Sequence, residues 1–285
     1  MTQSPELAGG AGFTFADQIA ARYLASLLAS APGPGTNERR VSRVALEQRA
    51  AGEPLDDIIV DATAPDGSIQ RLSLQAKRKL TISAAASNTD FRSIIRDCWA
   101  TLDKPDFRTG TDYIGAAVGA STAVGTARDL QAVAEFARAS ATASDFARRF
   151  AKGGSASAAH ATVLGYVEKI TREIGREASI EELYRLLSHF ILIRFDTLHA
   201  GATDDPATVS LIDQALEPGQ DAQASLLFDR LQTLIRRGAG TARSWSTQTV
   251  RREVAPWFRL ATNRSLAPDV EKLAAEARQA AESIA

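Results

Sequence analysis

The chain has 285 residues, 45% hydrophobic and 24% charged, with a formal net charge of −1. That composition fits a soluble globular protein of one large or two medium domains, and it excludes a global positive field directed at nucleic acid. A lone Cys98 and three scattered histidines, His160, His189 and His199, exclude an internal disulfide and a cysteine- or histidine-based zinc site. The opening MTQSPELAGGAG has no basic or apolar segment of a signal peptide, and no apolar run approaches the ~18 residues of a membrane helix. A cytoplasmic protein with no membrane partner is expected.

Phe15, Ile19, Tyr23, Leu24, Leu27 and Leu28 recur at helical spacing and predict a first helix over residues 14–29. APGPGTN (31–37) breaks it. Residues 41–48 read as a first strand ending in Glu47. The stretch PLDDIIVDATAPDGSIQRLSLQAKRK (54–79) then reads as a hairpin. Asp57 opens the strand Ile58, Ile59, Val60; Pro65-Asp66-Gly67-Ser68 is the turn; residues 69–77 return.

Asn88 caps a helix to about Leu102, with Phe91, Ile94, Ile95, Cys98 and Trp99 inward. A short strand follows at 113–118, then helices near 127–140, 145–150, 164–174 and 179–187. FILIRF (190–195) fits a buried strand of the same sheet. From about Asp204 onward the pattern is helical throughout, at 209–216, 222–237, 247–258 and from Pro268, the last an Ala/Glu-rich helix resembling a linker. The domain reading is therefore an α/β unit over 1–200 and a helical region over 201–285, a linker or an assembly module.

Side chains two apart on a strand share a face, so Gln75 and Lys77 point the same way, and Asp57 lies opposite them across the hairpin. An acid, an amide oxygen and an ammonium on one sheet surface can hold a divalent cation beside a phosphate. Asp56 points to the other face or is a turn residue; Asp61 shares the Asp57 face and is read as solvent-facing. The locally basic set of Arg236, Arg237, Arg243, Arg251, Arg252 and Arg259 reads as a solvated face, or as a DNA-backbone or partner surface.

An acid heading one strand followed by an acid-x-Lys on the next resembles the core signature of the PD-(D/E)XK nucleases, with Gln75 here in place of the second acid. The run GFTFADQIAARYLASLL, VALEQ, DDIIV, LQAKRK further resembles the double-stranded DNA endonuclease domain of bacterial anti-phage effectors, found with SAVED sensors and with STAND-type NTPases. The resemblance implies a restriction-endonuclease-like mixed sheet flanked by helices. It implies an Mg²⁺- or Mn²⁺-dependent endodeoxyribonuclease acting on double-stranded DNA with low sequence specificity, activated by homo-oligomeric assembly, with a sensor or NTPase as a further partner. Asp57, Gln75 and Lys77 are the implied catalytic set. Asp57, Gln75, Glu47 and the Ala76 carbonyl are the implied metal ligands, with Gln18 touching the site from the first helix or simply solvated, and Asp56 a weaker candidate. The alternative is a nuclease-like core without catalysis, serving as a docking module. Gln75 favours that alternative, and Lys77 beside Asp57 counts against it.

Overall fold

The computed structural model describes residues 15–197, 202–238 and 241–261. The expected linker helix from Pro268, Thr14 and His199 lie outside the described residues. The chain folds as a mixed α/β architecture built on one six-stranded sheet. Helix α1 (Phe15–Ala29) leads into β1 (Arg40–Leu46), β2 (Ile58–Thr63) and β3 (Ile69–Lys77). Helix α2 (Thr89–Leu102) crosses to β4 (Tyr113–Gly119), and α3 (Val124–Arg138), α4 (Ala143–Phe150), α5 (Ala158–Glu173) and α6 (Ile180–His189) cross to β5 (Phe190–Phe195). Helices α7 (Asp204–Asp213) and α8 (Ala224–Gly238), strand β6 (Ser244–Ser246) and helix α9 (Thr247–Val254) complete the fold.

The strand order is β5-β4-β3-β2-β1-β6. β1, β2, β3 and β6 pair antiparallel, whereas β3, β4 and β5 run parallel. The hairpin forms where the turn chemistry places it: Gly67 takes a φ of 82°, and Asp66 accepts the Ser68 N–H at 2.8 Å. Parallel pairs need long crossovers, and the helices supply them, so each sheet face is covered. One core packs α1, α7, α8 and α9 on the face carrying Ile58, Val60, Leu72 and Leu74. The other packs α2 to α6 against Ile114, Ala116, Val118 and Leu192. Cys98 and Trp99 are buried there, as the periodicity predicts, and His189 is also buried. FILIRF is an edge strand of the same sheet.

Two expectations are corrected. Strand β1 ends at Leu46, because Glu47 takes a left-handed φ of 52° and ψ of 45° and opens a 3-10 turn over Gln48–Ala51. The region after Asp204 is not wholly helical. Strand β6 pairs with β1, burying Trp245 between exposed Ser244 and Ser246. Three residues are too few for strand periodicity to register. Among the described residues no helix is long and apolar enough to cross a membrane.

Candidate functional site

The site grows from the β2–β3 register. Ile58 pairs with Leu74 and faces the α1 core, so the flanking Asp57 and Gln75 turn to the opposite face. On the other side of β3, Gln75 pairs with Ala116 and Lys77 with Val118, whose side chains enter the α2–α6 core. Asp57, Gln75 and Lys77 thus share one sheet face at the C-terminal end of β3, as alternation predicts.

The Asp57 carboxylate accepts the Ala76 N–H at 2.8 Å and a hydrogen bond from the Gln75 amide on the same oxygen, Oδ2. Such charge-assisted bonds contribute about 1.5–3 kcal/mol each. Asp57 has no ion pair among the described residues. Burial pushes its pKa above the ordinary carboxylate value; the Ala76 N–H opposes this, the Asp56 charge adds to it, and Lys77 and Arg49 oppose it more weakly. The Gln75 Oε1 is buried without a hydrogen-bond partner. An unmade bond to a buried acceptor costs about 1–3 kcal/mol, which a ligand at this oxygen would recover. A hard divalent cation fits both defects, since it offers charge to Asp57 and a coordination position to Gln75. Among the described residues there is no cluster of three or more Asp, Glu, His or Cys side chains suited to a metal, so the donor set is one carboxylate, one amide and backbone.

Lys77 is part-exposed, with 29% of its side chain accessible, and its Nζ lies 3.1 Å from Asp90 Oδ1. Asp90 belongs to the first turn of α2, and Asn88 fixes that turn. The Asn88 carboxamide caps the Phe91 N–H and donates to the Thr81 and Ser83 carbonyls at 2.7 and 3.0 Å. The backbone just past Lys77 is clamped as well. Ser121 Oγ donates to the Arg78 carbonyl at 2.7 Å, Leu80 N–H donates to Thr122 Oγ1 at 3.0 Å, and a Cβ at Gly119 would lie 2.4 Å from the Arg78 oxygen. Arg78 and Lys79 are exposed.

The remaining candidates are placed as follows. Asp56 accepts Arg49 Nη2 at 2.9 Å and Nε at 3.2 Å, and Arg49 also reaches Asp97 of α2 at 3.6 Å. Asp56 is therefore neutralised by an arginine. Glu47 is exposed beyond the end of β1, and its N–H reaches the Asp57 carbonyl at 3.4 Å. At Ala76 the N–H donates to the Asp57 carboxylate. Gln18 is not a solvated helix position. It is 8% exposed, with its Oε1 buried and partnerless. Asp61 is not solvent-facing either, since Arg43 and Arg71 hold it at 3.0 and 2.9 Å. Sequence reasoning missed Asp90, whose only signal was an acid in a first helical turn, where any acid is favoured.

No family model matches the chain, and no curated protein matches it. Two solved structures are similar. One is the Moraxella osloensis Cap4 SAVED/CARF-domain containing receptor (TM-score 0.44, 15% identity, 87% of this chain and 47% of that one). The other is the Acinetobacter baumannii Cap4 SAVED/CARF-domain containing receptor with the cyclic trinucleotide 3'3'3'-cAAA (TM-score 0.46, 14% identity, 87% and 45%). The chain spans slightly less than half the length of each.

Proposed function

We propose that the chain is a metal-dependent double-stranded DNA endonuclease of the restriction-endonuclease-like type, an effector in bacterial anti-phage defence. One observation carries the reading. The part-buried Asp57 carboxylate, without an ion pair, accepts the Ala76 N–H and the Gln75 amide N–H, whose own oxygen is partnerless, on the face that presents Lys77. Asp57 and Gln75 are the residues that would hold Mg²⁺ or Mn²⁺. When bound, such a metal supplies Lewis-acid stabilisation of phosphate charge. The Lys77 ammonium stabilises negative charge developing on the non-bridging oxygens, where a preorganised cation acts most strongly. Exposed Arg78 and Lys79 extend the cationic edge toward backbone phosphates, contacts that position a duplex without reading its bases. Low sequence specificity follows.

A net charge of −1 gives little long-range attraction to DNA. Several copies engaging one duplex would raise the effective concentration of sites without new contacts, so cleavage is expected to rise more steeply than linearly with protein concentration. The competing reading, a catalytically silent docking module for a sensor or NTPase, is favoured by the neutral Gln75. Incubation of supercoiled plasmid with the chain and Mg²⁺, beside EDTA and Lys77→Ala controls, separates the two. Nicking and linearisation in the Mg²⁺ sample alone are expected. An intact plasmid at every protein concentration would reject the nuclease reading in favour of docking.

A further inference from the structure

We propose that Asp90 is a positioning residue for Lys77, its carboxylate fixing the ammonium beside Asp57 in the orientation that phosphodiester hydrolysis requires. The inference rests on the nuclease reading for its catalytic meaning, although the contact itself does not. A lysine ends in a flexible four-carbon stem with three rotatable donors, so a functional, part-exposed lysine at a strand end needs something to hold it. Asp57 does not. Its carboxylate receives the Ala76 N–H and the Gln75 amide, and Lys77 is not ion-paired with it. Asp90 Oδ1, 3.1 Å from Nζ, is the ammonium's carboxylate partner.

The position of Asp90 is itself over-determined. Asn88 caps α2 and ties it to the Thr81 and Ser83 carbonyls, while Thr122 and Ser121 tie the intervening backbone to the loop after β4. The acid therefore stands on a rigid helix end, as a positioning group should. The pair stabilises the fold very little, because 54% of the Asp90 side chain is exposed and pairs so exposed contribute next to nothing. Its removal should therefore leave the structure intact.

Asp90→Asn keeps the side-chain shape and deletes the charge, and Asp90→Glu restores it. In metal-free buffer, reductive methylation read by peptide mass spectrometry should modify Lys77 more slowly than exposed Lys79 in the unaltered chain. Asp90→Asn should raise the Lys77 rate several-fold, with Lys79 unchanged as internal control. With plasmid and Mg²⁺, Asp90→Asn should lower kcat by about 10- to 100-fold, the scale of a misplaced catalytic group, with KM for DNA unchanged and partial recovery in Asp90→Glu. Equal methylation rates in the two proteins would overturn the contact. Unchanged or raised kcat with faster methylation would overturn the positioning role, showing instead a carboxylate that merely competes with phosphate for Lys77. Absence of cleavage by the unaltered chain overturns the nuclease reading and the catalytic part of the proposal together, and methylation then decides the contact alone.

Discussion

Asp57 and Asp61 stand on the same face of the same hairpin strand, yet their surroundings are opposites. Asp61 is gripped by Arg43 and Arg71, and Arg71 continues to Glu53 at 3.5 Å and Asp106 at 3.3 Å, with Lys104 joining Glu53 at 2.6 Å. Carboxylates and cations at that end are matched within the chain. Four residues earlier, Asp57 receives only neutral donors, and burial raises its pKa with no cation paired to it. The first carboxylate completes the structure; the second leaves a charge for something else to neutralise. Identical chemistry on one strand is thus divided by what the neighbouring strands place opposite it.

The largest test of this contrast is Lys77→Ala. Plasmid cleavage should fall at least about 100-fold, as when a transition-state charge stabiliser is removed. Thermal unfolding should be unmoved, because the lost ion pair is exposed and no core cavity opens. Substantial residual cutting would remove Lys77 from the site. Asp61→Ala should behave in the reverse sense. It strands part of the Arg71 charge, whose remaining partners only partly compensate, and should cost about 1–3 kcal/mol in denaturant unfolding while cleavage persists. If cleavage disappears in a folded Asp61→Ala protein, the division between the two acids is wrong.

Asp57→Asn should abolish cleavage yet stabilise the metal-free fold at neutral pH by about 0.5–2 kcal/mol, the usual gain from relieving a strained functional site. The sign follows from linkage. Burial holds the native pKa of Asp57 above its unfolded value, so the native state binds more protons and loses stability as pH rises through that interval. The advantage of the variant should therefore be present at pH 7 and vanish below the unfolded carboxylate pKa of about 4. A variant less stable than its parent at pH 7 would contradict the unpaired-charge description. The smallest effect is expected from Gln75→Glu, which places a second acid against Asp57. The metal-free melting temperature should drop by a few degrees, the scale of about 1 kcal/mol, and Mg²⁺ should raise it more than in the parent. Equal Mg²⁺ responses would remove position 75 from the metal ligands.

Much of this was legible because strand alternation is a local rule. Once Pro65 to Ser68 is read as a turn, Asp57, Gln75 and Lys77 must share a face whatever the rest of the chain does. Glu47 illustrates the limit, since a left-handed φ ends β1 before it and alternation along the strand no longer says which face its side chain takes. Asp61 was misjudged because its partners Arg43 and Arg71 come from the two flanking strands, and their reach is set by register rather than composition. Asp90 is further still from local rules. Nothing in Asn88-Thr89-Asp90 beyond an ordinary helix start indicates that the helix begins beside Lys77, because the path of the intervening loop decides it.

That loop also explains how so weak a contact as Lys77–Asp90 persists. In polymer terms, the roughly dozen residues between them form a ring, and closing a free ring of that size costs about 2 kcal/mol in chain entropy. An exposed ion pair could not offset that cost alone. The Asn88 carboxamide has already closed most of the same ring onto Thr81 and Ser83, so the ammonium and carboxylate meet with little chain left to order. Asn88→Ala should thus loosen Lys77 without touching it, a coupling carried by shared loop closure alone.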